Sequence, residues 1–234
     1  MVKAKNPNLE ILLLAADQLE DLTDEMVFVG GCATGLLITD EAAPPIRVTK
    51  DVDAITQVAS KAEYYKLSEK LRDKGFSEDT SDGAPLCRWL NDAVILDVMP
   101  TDPTILGFAN EWYKSAMDNA ALIQLSSEKK IRMVTSPYFL ITKLEAFDGR
   151  GENDYLMSHD IEDFIAVLDG RPEILEEIKH SDPELVVELS RRCKGLIKDD
   201  RFIEAVSGHM PTDETSQARA SITIELINQI AELK

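Results

Sequence analysis

The pattern that organises the chain begins with the stretch MVFVGGCATGLLI, residues 26–38. Met26–Val29 is a short apolar run, which is typical of a buried strand. Gly30 and Gly31 end this run, and the residues after them are suited to a short helix. Glycine permits strained turns and a close approach of the backbone to other groups. We therefore predict a strand, a tight turn and a helix whose N-terminus could face a phosphate, although taken alone such a diglycine more often marks a plain tight turn.

A second segment, TKDVDAIT at residues 49–56, alternates polar and apolar side chains and predicts a strand. Residues i and i+2 of a strand point to the same face, so Asp51 and Asp53 project together. Two neighbouring carboxylates repel each other unless a cation lies between them, and Mg²⁺ is commonly held by one or two carboxylates plus phosphate oxygens. The pair is thus a candidate metal site, and the alternative is a solvated face of an edge strand.

A third aspartate, Asp97, lies within the apolar run AVILDVM at residues 93–99. Leu86–Leu90 is also apolar, and Asn91-Asp92 between the two runs is a hairpin turn signal. A carboxylate inside an apolar strand costs free energy unless it is paired or metal-bound. If this strand lies beside the one that carries Asp51 and Asp53, three carboxylates could hold metal ions for an in-line displacement at phosphorus.

The second half of the chain carries only helical periodicity after Ser136-Pro137. Short strands are still expected near residues 120–125 and 130–134, so the boundary is placed near residue 130. We predict an α+β chain with a minimal mixed sheet flanked by helices, followed by an all-helical C-terminal domain. The two domains are predicted at residues 1–130 and 131–234.

The order of Gly30-Gly31, the Asp51-x-Asp53 motif and Asp97 on a later strand resembles the signature of the nucleotidyltransferase superfamily. Downstream, Ser136-Pro137 followed by Lys143-Leu144-x-Ala146, and the segment around Ser158–Asp163, resemble the AbiEii-type toxin nucleotidyltransferases and their uncharacterised relatives. The resemblance covers roughly residues 25–172. The last 60 or so residues, about residues 173–234, carry no motif of this family, and the sequence predicts no role for them.

The resemblance implies a Mg²⁺-dependent enzyme with an NTP substrate, and it assigns each motif a role. Asp51, Asp53 and Asp97 would be the catalytic and metal-binding residues. Gly30 and Gly31 would hold the triphosphate, and Lys143 would reach a phosphate from the helical domain. Asp160 and Asp163 would serve the second half of the cleft. The superfamily commonly has Ser after the first glycine, whereas this chain has Gly31-Cys32, so Thr34 is the substitute nucleotide-binding hydroxyl.

Charge and hydropathy narrow the functional classes. The formal net charge is −18, with 43 Asp and Glu against 25 Lys and Arg, and neither half of the chain is basic. Long-range repulsion therefore opposes loose binding along a nucleic-acid backbone. The longest apolar run, Ile11–Ala16, is too short to cross a bilayer, and no signal-peptide pattern precedes it. We expect a cytoplasmic protein with no membrane partner.

The three cysteines, Cys32, Cys87 and Cys193, follow no metal-ligand spacing. Their odd number and wide separation indicate reduced thiols, and buried free cysteine is the common case.

Three functional hypotheses follow from these features. The first is transfer of a nucleoside monophosphate from an NTP to a hydroxyl on an unknown acceptor (an RNA, a protein or a small molecule), in a toxin or defence setting. The second is a catalytically silent nucleotide- or partner-binding module with an antitoxin-like protein partner. A third is an antibiotic-modifying enzyme, whose acidic cleft would attract a cationic substrate.

Overall fold

The apolar and alternating segments of the first half form one mixed sheet. The computed structural model describes residues 6–126 and 129–234. Within those ranges the strands are β1 (Met26–Val29), β2 (Asp51–Thr56), β3 (Ser77–Glu78), β4 (Arg88–Leu90), β5 (Ile95–Pro100), β6 (Ala121–Gln124) and β7 (Lys130–Met133). Their order across the sheet is β3-β4-β5-β2-β1-β7-β6. The strand with the Asp-x-Asp motif is therefore central, between β1 and β5.

The mixed parallel and antiparallel pairing of the strands brings the predicted site residues together. β2 runs parallel to β5 and antiparallel to β1, while β4 and β5 form an antiparallel hairpin. Asn91 builds the hairpin turn, because its Oδ1 accepts hydrogen bonds from the N–H groups of Ala93 and Val94 at 2.9 and 2.7 Å. All four residues of β1 are buried, which explains why this strand is an unbroken apolar run.

Helices precede, connect and follow these strands. They are α1 (Leu9–Leu19), α2 (Gly30–Leu37), α3 (Lys61–Asp73), α4 (Pro103–Leu106) and α5 (Tyr113–Asp118), and a 3-10 helix at Glu20–Glu25 follows α1. Ser60 caps α3, because its Oγ accepts from Glu63 N at 3.2 Å, and Glu63 Oε2 reaches back to accept from the N–H of Ala59, the residue before the cap, at 2.6 Å. The sequence did not predict the short helices α4 and α5.

The C-terminal part is helical, as predicted. Its helices are α6 (Ser136–Arg150), α7 (His159–Gly170), α8 (Ile174–Lys179), α9 (Pro183–Leu196), α10 (Asp200–Gly208) and α11 (Glu214–Ala231). Side-chain caps begin three of them, with Ser158, Asp199 and Asp213 accepting from backbone N–H groups. In this part of the chain, sequence periodicity did not predict the six-residue helix α8.

The chain divides into two units. The sheet unit consists of Pro7–Gly35 and Arg47–Thr135, and the helical unit of Asn6, Leu36–Ile46 and Ser136–Lys234. The predicted boundary at 130/131 differs from this division, because it falls inside β7.

Four polar contacts explain why residues 36–46 belong with the helices. The N–H groups of Thr39 and Asp40 both donate to the carbonyl of Gly170 at 2.9 Å. Arg219 donates to Asp40 at 2.7 Å, and Arg171 donates to the carbonyl of Leu37 at 2.6 Å. These partners lie more than 100 residues further along the chain, so no local sequence pattern predicts the contacts.

The predicted α+β class is confirmed: a seven-stranded mixed sheet with flanking helices is followed by C-terminal helices, counted over the described residues. No helix in the described ranges combines the length and the apolar character needed to cross a membrane.

Candidate carboxylate site

The three predicted carboxylates lie on two neighbouring strands. In the parallel pair β2–β5, Asp53 is the direct register partner of Asp97, and Asp51 lies two residues before Asp53 on the same strand. Residues at i and i+2 of a strand share a face, and so do direct register partners on adjacent strands. The sheet therefore places Asp51, Asp53 and Asp97 on one face, within a single patch.

Gly30 forms one wall of this patch. Its φ is +68°, a conformation that L side chains rarely adopt, and it directly follows Val29, the register partner of Asp53. A Cβ built on Gly30 would overlap the Asp53 carboxylate and lie only 2.5 Å from its Cγ. Glycine is required here both by the backbone angle and by the neighbouring acid. The N-terminus of α2, which starts at Gly30, thus lies against Asp53.

Arg88 is the residue of the site that sequence reasoning missed. From β4 it faces Asp97 across the hairpin, with Nε donating to Asp97 Oδ1 and an Nη to Asp97 Oδ2, both at 2.8 Å. The same Nη lies 3.3 Å from Asp51 Oδ2. The hydrogen bonds to Asp97 raise the pKa of Arg88 above its already high ordinary value. A guanidinium therefore bridges two of the three predicted metal ligands.

The hairpin turn alone did not predict the pairing of Arg88. A two-residue turn at Asn91-Asp92 would place residue 88 opposite residue 95, whereas the connection spans residues 91–94 and the observed register is Arg88↔Asp97 and Leu90↔Ile95. An arginine directly opposite an aspartate buried in an apolar strand is the expected ionic partner.

A buried asparagine, Asn8, holds the turn and the strand entrance in place. Its Nδ2 donates to the carbonyls of Gly31 and Arg47 at 3.3 and 3.1 Å, and its Oδ1 accepts from Thr49 N at 3.0 Å. Thr49 in turn donates its hydroxyl to Asp51 Oδ1 at 2.6 Å. One side chain thus connects the diglycine turn to the residues that orient Asp51. No sequence motif marked Asn8.

The other two predicted nucleotide-binding residues are both buried. Thr34 is only 1 % exposed in α2, and its hydroxyl has no hydrogen-bond partner among the described residues. Lys143, in α6 of the helical unit, is 6 % exposed. Its Nζ lies 2.7 Å from Asp163 and 3.2 Å from Asp160.

Asp160 is the centre of this buried charge cluster in the helical unit. Besides Lys143, Arg150 donates to both of its carboxylate oxygens, at 2.8 and 2.9 Å. Burial acts to raise the pKa of Asp160, but the hydrogen bonds from Arg150 and the charge of Lys143 outweigh it and leave the pKa lowered. The sequence motif around Ser158–Asp163 thus corresponds to a compact set of opposite charges within one unit.

The fit of Mg²⁺ to the carboxylate patch follows from its donors. Carboxylate oxygens are the ligands that Mg²⁺ prefers, and Asp51 with Asp53 meets the usual complement of one or two protein carboxylates. Asp97 differs in its charged partner, because Arg88 donates to both Asp97 oxygens at 2.8 Å, whereas Asp51 accepts from the neutral Thr49 hydroxyl at 2.6 Å and lies 3.3 Å from Arg88. Over the described residues, no group of three or more His, Cys, Asp or Glu side chains is arranged to hold a metal ion. The residues therefore fit a metal at Asp51 and Asp53, with Asp97 engaged elsewhere.

Comparison with protein-family models finds no match to this chain. A comparison with curated proteins likewise finds no similar sequence. The residues and their geometry therefore carry the functional argument.

Proposed function

We propose that the chain is a Mg²⁺-dependent nucleotidyltransferase related to the AbiEii-type branch, with an NTP as substrate. The observation that carries this proposal is the contact of Gly30 with Asp53 in a patch shared with Asp51 and Asp97. A helix N-terminus beside two metal-competent carboxylates combines the two groups that a metal-bound triphosphate needs, namely free amides and hard oxygen ligands.

In the proposed reaction an acceptor hydroxyl attacks the α-phosphorus of the NTP. A new oxygen–phosphorus bond forms, the bond to the pyrophosphate oxygen breaks, pyrophosphate leaves, and the hydroxyl proton passes to a base. Mg²⁺ held by Asp51 and Asp53 would neutralise charge that builds up on the phosphate oxygens. The diglycine turn would present backbone N–H groups to the phosphates, and Asn8 would fix that turn relative to Thr49 and Asp51.

The acceptor is a hydroxyl on an RNA, a protein or a small molecule. With a net charge of −18, the chain favours a compact target over a long nucleic-acid backbone held by charge alone. The same proposal includes a cytoplasmic location and an antitoxin-like protein partner, because the chain resembles the AbiEii-type toxin nucleotidyltransferases.

Labelling with α-³²P NTPs in a cell extract tests the reaction and identifies the acceptor. Asp53→Asn keeps the size of the side chain and removes its charge. We expect labelling to fall by at least about 100-fold, because even the loss of residues outside the metal's own ligands typically costs 10–100-fold. Asp73→Asn, an exposed change at the end of α3, is the matched control and should leave labelling intact. Equal labelling by wild type and Asp53→Asn would refute the metal-dependent mechanism.

A second candidate, a catalytically silent binding module, is favoured by one observation. Arg88 already neutralises Asp97 and approaches Asp51, so these carboxylates are compatible with the fold without a metal. Under this alternative the wild-type chain labels nothing with any of the four NTPs. Calorimetry with each NTP and Mg²⁺ would then measure whether nucleotide binding is retained.

A further inference from the structure

The guanidinium of Arg88 lies where a cation shared by the carboxylates would have to bind. It donates to both oxygens of Asp97 at 2.8 Å and approaches Asp51 Oδ2 at 3.3 Å. The side chain of Asp97 is only 10 % exposed, whereas that of Asp51 is 35 % exposed. The short Arg88–Asp97 hydrogen bonds are therefore better shielded from water than the Arg88–Asp51 contact, and charge-assisted hydrogen bonds are strongest where water is excluded.

A divalent cation and Arg88 compete for Asp97 in this geometry. The guanidinium fork takes one lone pair of each Asp97 oxygen, so a metal ion would have to use the remaining lone pairs beside an existing positive charge. The two cations would also repel each other at close range in a partly buried site. By contrast, Arg88 approaches Asp51 through a single, longer contact of 3.3 Å. The competition is consequently focused on Asp97.

We propose that Arg88 is a positioning residue that competes with divalent cations for Asp97. The site as built takes a metal ion at Asp51 and Asp53, and Asp97 joins the coordination only when Arg88 releases it. This proposal rests on the proposed metal-dependent function, since it concerns the same carboxylates. A triphosphate is a suitable agent of release, because guanidinium groups bind phosphate oxygens in the same two-pronged manner as carboxylates.

Mn²⁺ binding, followed by the electron paramagnetic resonance signal of the free ion, tests the competition without any reaction. Arg88→Met removes the guanidinium, and we expect Mn²⁺ to bind about tenfold more tightly or better, since a nearby like charge has gone and Asp97 is free to coordinate. In the double variant Arg88→Met/Asp97→Asn this gain should disappear. The double variant separates direct competition for Asp97 from a general change in charge.

Arg72→Met is the control for loss of positive charge. Arg72 is half-exposed in the same unit, pairs with Glu78 and lies over the ring of Trp89, and within the described residues it makes no ion pair with the carboxylate patch. Its removal should leave Mn²⁺ affinity unchanged. Arg88→Lys is the second test variant, because it keeps the charge and loses the fork. We expect its affinity to lie between those of wild type and Arg88→Met, and it decides the question if Arg88→Met does not fold.

The outcomes separate this proposal from the proposed function. Wild-type affinity in both Arg88 variants, or a gain that survives Asp97→Asn, would overturn the competition and leave the metal site standing. Binding by Arg88→Met but not by wild type would support the competition and would contradict a metal ion at Asp51 and Asp53 while Arg88 is in place. No Mn²⁺ binding by any variant would overturn both.

Discussion

Gly30 and Asp53 are packed so closely that no side chain fits between them. Gly30 has a φ of +68°, and a Cβ at this position would lie 2.5 Å from Cγ of Asp53. The diglycine turn and the Asp-x-Asp strand are therefore one structural unit rather than two separate motifs. A substitution at either residue should therefore displace the other.

Gly30→Ala is expected to weaken Mn²⁺ binding by about tenfold or more, because the new methyl group displaces a carboxylate whose position determines affinity. It should also destabilise the fold by roughly 1–2 kcal/mol through the positive φ alone. Gly83→Ala is the matched control, since Gly83 has a φ of +81° but no atom within 4 Å of a built Cβ. Gly83→Ala should lower the free energy of unfolding by a similar amount but leave the Mn²⁺ affinity unchanged. Equal effects of the two changes on Mn²⁺ affinity would contradict this assignment.

Asn8→Leu should lower the free energy of unfolding by about 1–3 kcal/mol or more, because buried partners lose their hydrogen bonds. The affected groups are the carbonyls of Gly31 and Arg47 and the N–H of Thr49. Urea unfolding followed by circular dichroism measures the change. Asn119→Leu is the control, because Asn119 and its side-chain bond to the Ser115 carbonyl are exposed, and a few tenths of a kcal/mol are expected there. A loss at Asn8 no larger than at Asn119 would show that the connection to the diglycine turn is unimportant.

Asp160 gives a prediction about acid stability. Its pKa is lowered in the folded chain by Arg150 and Lys143 despite the opposing effect of burial, so the unfolded state takes up a proton at higher pH than the folded state does. Its contribution to stability is therefore present above the unfolded pKa of about 3.9 and is lost as pH falls through the lower folded value.

Urea unfolding of wild type and Asp160→Asn between about pH 7 and pH 3 tests this behaviour. At neutral pH we expect the variant to be less stable by about 3–5 kcal/mol, since a buried charge network loses one partner. The gap should narrow as the pH falls below about 4. Asp200→Asn, an exposed change in the same unit, should show a small and nearly constant difference. A gap that widens in acid would mean that the sign of the pKa shift is wrong.

The cysteines should be unreactive in the native chain. Cys32, Cys87 and Cys193 are free and buried, as the sequence predicted. Burial, with smaller contributions from the charges of Asp97 and Asp53, raises the pKa of Cys87 to about 12, and burial alone raises that of Cys193 to about 12. Because the thiolate is the reactive form, Ellman's reagent at about pH 8 should label none of the three within minutes and all three in urea. Rapid native labelling would contradict the burial of these thiols.

Local patterns in the sequence were sufficient for much of the fold. The strands β1, β2 and β5, the hairpin turn at Asn91 and the cap at Ser60 each follow from residues a few positions apart, where propensity and periodicity act directly. The shared face of Asp51 and Asp53 followed from the two-residue period of a strand. The position of Asp97 beside them depended on the strand order, which the sequence suggested only through the resemblance.

The features that the sequence missed depend on distant partners. Asn8 acts on groups 23 to 41 residues away, and the segment at residues 36–46 is held by Gly170 and Arg219. Short elements such as α8 bury too few residues to produce a readable period. The burial of Lys143 likewise depends on Asp160 and Asp163 on another helix, so a motif lysine expected to reach phosphate is found within an ion cluster.

Arg88 and Asp97 give a final prediction that concerns stability alone. Arg88→Met removes both hydrogen bonds to the carboxylate of Asp97, whose side chain is only 10 % exposed. We expect the free energy of unfolding to fall by about 3–5 kcal/mol. Replacing both residues, as in Arg88→Met/Asp97→Leu, should recover most of that loss, because a pair of apolar side chains on adjacent strands avoids the desolvation of both charges. A double-mutant cycle in urea measures the coupling, with Asp97→Leu as the remaining corner. Additive losses would show that the pair is not coupled, whereas a double variant more stable than wild type would show that this ion pair is retained at a cost in stability.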